Sequence, residues 1–188
     1  MKDIAESRVR IVEAADRLFY GQGIQSVTME QVRAEADVSL KRLYTTFPSK
    51  SDVVLAVLEH RRQMWESGIA RAVDAAPTAR ERILAVYDFL FDWFEQDDYR
   101  GCGFVNAFGE LGATYPAVAD AAREHKRAFQ QLMSELVQQA GGSGALGIQL
   151  AVLAEGAQTT SAICGDPEMA HHARDAAEAL IAHSLPAR

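Results

Sequence analysis

The chain has 188 residues, 48% of them hydrophobic, a composition that fits a globular body and excludes a disordered one. Its net charge of −7 excludes a nucleic-acid binder that works through a bulk basic field, but the charge is unevenly shared: residues 1–50 carry +1 and residues 51–188 carry −8. Two cysteines 62 positions apart exclude a disulfide framework and point to a cytoplasmic protein.

The opening MKDIAESRVR has charges throughout and no apolar core, which is not the pattern of a signal peptide. A first helix is predicted from about Ile4 to Tyr20, with Ile11, Ala15, Leu18 and Phe19 on one face and Gly21 ending it. Thr28 and Gln31 then make a capping box, and Val27 with Val32 a hydrophobic staple. Met29, Val32 and Ala36 face inward. Asp37 occupies the next turn, because Asp tolerates the left-handed region better than most residues. Ser39 caps a third helix, and Val38 with Leu43 repeats the staple.

Two short capped helices joined by a tight turn form a helix-turn-helix. With Leu43 inward at 100° per residue, Lys41 and Thr45 lie opposite it and Arg42 and Tyr44 flank them. The candidate DNA contacts are therefore Leu40, Lys41, Arg42, Tyr44 and Thr45, with Thr28, Ser39 and Lys50 beside helix N-termini. Lys and Arg donate to guanine edges, and Thr packs on a thymine methyl. Tyr44 donates to a phosphate, and helix N-termini favour phosphate through their free N–H groups.

A fourth helix is predicted from Ser49, capped against Asp52, to about Ala75. After Ala76-Pro77, Thr78 and Glu81 make another capping box, opening a helix over Ala79–Gln96 that is apolar around most of its circumference and must be buried. Phe104 to about Ala113 is a short helix, and Pro116 starts one that ends near Ala140. The last two helices are Ala145–Ile163 and Pro167–Ser184, the latter capped by Asp166. The chain reads as all-α with about nine helices: residues 1–48 a DNA-binding domain, residues 49–188 a helical-bundle domain for ligand binding and dimerisation. Leu136–Ala154 lacks charge for nineteen residues, but its GGSG and three Gln rule out a membrane span.

Arg8 to about Leu58 resembles the N-terminal domain of the TetR family of transcriptional regulators. The resemblance rests on Ala14-Ala15 with Leu18-Phe19, Gly21 and Gly23, Val27-Thr28, Val38-Ser39, Leu43-Tyr44, and Phe47 with Ser49-Lys50. Two departures stand out: Asp37 replaces the usual turn Gly, and Leu40-Lys41-Arg42 replaces a run of small residues. The resemblance implies a homodimer on a palindromic duplex operator, repression as the common mode, and pairing of the last two helices with their twins in a four-helix bundle. Leu146, Leu150, Leu153 and Ala157 in one helix, and Ala173, Ala177, Leu180 and Ile181 in the other, suit that seam or packing within the chain.

Trp65, Phe89, Trp93, Phe104 and Phe108 form either a plain core or the wall of a pocket for a small apolar or amphipathic effector. Asn106, Glu110, Glu155, Gln158 and Thr159 are polar positions in apolar helical runs, and they either orient that effector or bond helix to helix. Cys102, between two glycines and beside Arg100, is a candidate redox sensor or an inert thiol. His171 and His172 point about 100° apart on a helix, so no metal site is expected. The sequence shows no nucleophile elbow, P-loop or dinucleotide fingerprint, so neither an enzyme nor a cofactor is expected. A helical carrier or enzyme using the aromatic pocket is the remaining alternative.

Overall fold

The computed structural model describes residues 2–185. Among them all regular structure is helical: α1 Lys2–Gln22, α2 Met29–Glu35, α3 Leu40–Thr46, α4 Lys50–Ala75, α5 Ala79–Phe94, α6 Gly103–Leu111, α7 Pro116–Gln139, α8 Gly144–Cys164 and α9 Met169–Ser184. Helix starts follow the caps. The Thr28 hydroxyl accepts the Gln31 N–H while Gln31 Oε1 accepts the Thr28 N–H at 2.7 Å. Thr78 and Glu81 do the same at α5, and Ser49 with Asp52 at α4. The last helix departs from expectation. It starts at Met169 rather than at Pro167, because Asp166 Oδ1 accepts the Glu168 N–H at 3.0 Å and holds a preceding turn.

The helices fall into two compact units, Met1–Gln63 with Gly103–Arg123, and Met64–Cys102 with Glu124–Arg188. In the first unit α1 packs on α2 and α3, with Ile11, Ala14, Val32 and Leu43 fully buried. Arg61 of α4 lies over the Tyr20 ring, 3.5 Å from its centroid, and pairs with Asp16. Gly103 opens α6 against Arg61, whose Cδ lies 2.9 Å from where a Cβ would be.

In the second unit α5, α8 and α9 pack on one another. Their core holds Ile83, Tyr87, Leu90, Leu150, Ala177 and Ile181. Burial pushes the Tyr87 phenol well above its ordinary range, and its hydroxyl donates to the Leu150 carbonyl at 2.7 Å. Gly147 lets α8 approach α7 so closely that a Cβ would sit 2.4 Å from Ser134 Cα. Leu146, Leu150, Ala157, Ala173, Ala177 and Ile181 are buried within this unit. Those side chains therefore serve intramolecular packing and do not form an outward seam. Alternation around a helix cannot say which neighbour covers a face, and here the cover is α5 and the partner helix of the same chain.

Gly68 is set against Phe89, whose Cε2 lies 2.3 Å from a Cβ placed there. Gly68→Ala therefore overpacks the second unit and is expected to cost about 1–3 kcal/mol. A lowered thermal midpoint checks this, and an unchanged midpoint contradicts it.

Candidate nucleic-acid interface

Seven residues give α3 too little length to hold its own helix, so its geometry is set by its cap and its buried side. The Ser39 hydroxyl accepts the Arg42 N–H at 3.1 Å. Leu43 is 0% exposed and Phe47 2% exposed, which anchors the inner face. The outer face carries Leu40 and Tyr44, each 46% exposed, with exposed Lys41 and Thr45 and half-buried Arg42. Thr45 Oγ1 donates to the Lys41 carbonyl at 2.7 Å, so its hydroxyl is engaged within its own helix. Thr28 and Ser39 are also exposed.

The turn before α3 has Asp37 at φ 49°, the left-handed region. Arg10 of α1 holds it, its Nη2 donating to the Asp37 carbonyl at 2.7 Å and to Oδ2 at 3.0 Å. Arg17 adds a second strap from α1 to α2, donating to Glu35 Oε1 at 2.9 Å.

Lys50 does not stand free beside a helix end as the sequence suggested. Its ammonium donates to the Val27 carbonyl and lies 5.8 Å from the centre of the Phe19 ring. Burial lowers its pKa, with the nearby Glu110 charge opposing. Its contribution is to close the α1–α2 loop. That role depends on a contact 23 positions away in sequence, which no local pattern signals.

The ten residues proposed as ligand contacts divide between the units. Trp65, Phe89 and Trp93 do meet. The Trp65 ring is 5.3 Å from Phe89 and 5.1 Å from Trp93, both edge-on, with Phe129 at 5.6 Å and His125 at 5.9 Å. This cluster borders two recesses of the second unit. One, about 430 Å³, is lined by Trp65, Ile69, Val73, Phe129, Leu132 and Leu136, with buried His125. The other, about 740 Å³, carries Phe89, Trp93, Asp88, Asp92 and Arg174.

Glu155 is paired, accepting from Lys126 at 2.6 Å. The same ammonium lies 3.2 Å from Cys102 Sγ. Burial works against the Lys126 charge, but Cys102 and Glu155 together outweigh it and hold its pKa above the ordinary value. Gln158 is 1% exposed and its Nε2 has no hydrogen-bond partner among the described residues, while Thr159 is exposed.

Phe104, Asn106, Phe108 and Glu110 lie in the first unit. Phe104 is buried, Asn106 exposed, and Phe108 48% exposed. Glu110 is not aimed at an effector, because its two carboxylate oxygens accept the backbone N–H groups of Ile24 and Gln25. Sequence reasoning passed over Lys126 and Phe129, which sit on the amphipathic α7 and carry no local mark of the contacts they make.

The capped α2, the left-handed turn and the outward cationic face of α3 define a helix-turn-helix protein. Residues 11–57 match the profile of bacterial regulatory proteins of the tetR family, and residues 79–177 match the tetracyclin repressor-like C-terminal domain. The chain belongs to the TetR family of transcriptional regulators. A TetR-family regulator from Streptomyces coelicolor superposes with a TM-score of 0.88 at 31% identity, over 95% of this chain and 96% of that one. A TetR-type regulator from Streptomyces avermitilis gives 0.75 at 26% identity, over 92% and 98% of the two chains. The transcriptional activator FasR of Mycolicibacterium smegmatis is 28% identical over 137 residues, which is 73% of this chain and 61% of FasR. The regulator HbdR of an Aromatoleum strain is 32% identical over 82 residues, 44% of this chain and 36% of HbdR. The chain thus spans less than two thirds of either of these relatives. Among the described residues, no helix is long and apolar enough to cross a membrane.

Leu43→Ala removes the side chain that seats α3 and is expected to cost about 2–5 kcal/mol. Proteolysis of the α2–α3 region should quicken, and an unchanged cleavage rate would mean α3 is held by its cap alone.

Proposed function

We propose that the chain is a sequence-specific DNA reader that inserts α3 into the major groove. The observation that carries this reading is the two-sidedness of α3: Leu43 is fully buried, while Leu40, Lys41, Tyr44 and Thr45 are presented on the opposite face. Lys41 and Arg42 would reach base edges, Leu40 and Thr45 a thymine methyl, and Tyr44 a phosphate. Thr28 and Ser39 would place helix N-termini on the backbone. Residues 1–48 serve as the reading domain in this proposal, and residues 49–188 bind effector and partner.

The functional form is a homodimer, because one recognition helix reads few base pairs and two set about 34 Å apart read a palindrome. The last two helices supply the contact through a face different from the one first expected. Ile148, Val152 and Ile163 are 50%, 61% and 79% exposed, and with Gly156 and Thr159 they line one uncharged stripe of α8. A small apolar or amphipathic effector in the Trp65 recess would favour a form with the wrong spacing of recognition helices and release the operator, so that the chain represses. The protein would act in the cytoplasm, where its duplex lies. Two second readings have specific support. FasR is named an activator, which makes activation the alternative mode. The placing of Lys126 within 3.2 Å of Cys102 supports thiol-based signalling, and loss of inducer response in Cys102→Ser would favour it.

Selection of bound duplexes from a random pool should yield a palindrome. Lys41→Ala with Arg42→Ala should then weaken binding to it by at least about tenfold, at about 1–3 kcal/mol per lost base contact. Anisotropy titration at fixed salt measures this, and retained affinity refutes the assignment of α3. Val152→Glu puts a charge on the α8 stripe without touching the core. Sedimentation should show it shifted towards monomer, and a dimer that survives would place the contact elsewhere.

A further inference from the structure

Glu110 of α6 is 85 positions beyond Gln25, yet its carboxylate grips the loop that leads into the reading motif. Oε1 accepts the Ile24 N–H at 2.9 Å and Oε2 accepts the Gln25 N–H at 2.8 Å. Gln25 Nε2 returns a bond to the Glu110 carbonyl at 2.7 Å. Gly23 opens the loop at φ +87°, and a Cβ there would lie 3.5 Å from both carboxylate oxygens. At the far end of the loop Lys50 holds the Val27 carbonyl, one residue before the Thr28 cap. Two of the loop's N–H groups, those of Ile24 and Gln25, are therefore satisfied from α6, and the Val27 carbonyl from α4.

We infer that Glu110 is a positioning residue for DNA reading: it fixes the α1–α2 loop, and through it the start of α2 and the angle of α3, from outside the segment that carries the helix-turn-helix. The inference rests on the assignment of α3 as the DNA reader. Ionised carboxylates accept several N–H groups at once, and bonds to a charged acceptor are the stronger kind. Glutamine has the same size but only one accepting oxygen. Its NH2 would face a backbone N–H, so one of the two loop donors must go unpaired.

The test compares wild type with Glu110→Gln on two duplexes of equal length, the palindrome recovered from a random pool and a scrambled version. Hydrogen exchange at the Ile24 and Gln25 amides and the thermal midpoint are read alongside. Glu110→Gln is expected to exchange faster at both amides and to bind the palindrome about tenfold more weakly, the scale of one charge-assisted bond. Its affinity for the scrambled duplex should not change. Gly23→Ala strains the same loop, so its effect on palindrome binding should be non-additive with Glu110→Gln.

The inference is overturned if Glu110→Gln keeps wild-type affinity for the palindrome. It is also overturned if both duplexes lose affinity by the same factor, which is what a smaller folded fraction would do, or if the two substitutions add. A wild-type chain that prefers no duplex would instead bring down the DNA reading itself, and this inference with it.

Discussion

A seven-residue helix has no independent existence in water, because the cost of its first turn is never recovered by so few later hydrogen bonds. The orientation of α3 is therefore a property of whatever lies beneath and beside it. Beneath it is Leu43, entirely excluded from solvent. Beside it is the left-handed Asp37, a conformation that disfavours most side chains and is held here by Arg10. The Arg10–Asp37 pair is exposed, so its contribution lies in geometry more than in energy. The carbonyl it holds sits two residues before the α3 cap, where a small rotation would swing the whole recognition face.

What the sequence disclosed and what it hid divide along the same physical line. The capping boxes depend on neighbours within four residues, and the turn at Asp37 and the inward Leu43 carry local marks in residue type and spacing, although Arg10 holds that turn from 27 positions away. The Lys50 and Glu110 side chains answer to partners 23 and 85 or more positions away, so their types alone suggested a phosphate contact and an effector contact. The choice between a pairing seam and packing within the chain stayed open in the sequence for a related reason. Periodicity showed that Leu150, Ala177 and Ile181 lie on apolar stripes, but a stripe carries no statement about which chain covers it. Helix α8 is apolar on all sides, with Ile148, Val152 and Ile163 on its outward face, so its composition does not tell the outward face from the inward one.

The aromatic cluster shows the limit from the other direction. Trp65, Phe89 and Trp93 do assemble around one another, but as a partition with a recess on each side. Edge-to-face rings at about 5 Å are a normal way to fill space, and they also give two walls of different polarity. The recess beside Phe129 and Leu132 has the more apolar lining, though it also reaches Glu66, Asp74 and Arg82, and the other carries Asp88, Asp92 and Arg174. Gln158 adds a buried amide nitrogen without a partner in the same unit. Buried polar atoms of that kind are uncommon in folded proteins.

The unit that contains the reading motif is assembled from two separated stretches of chain, with α6 and the start of α7 folded back onto the first sixty-three residues. This sets an order of events during synthesis. At about 5–20 residues per second, the ribosome needs several seconds to pass from Arg61 to Glu110. Until then the Ile24 and Gln25 amides have no carboxylate to meet. A nascent chain showing all of its helix-turn-helix would still lack the brace that sets its pose, so maturation of the reading head waits on translation well past its own codons.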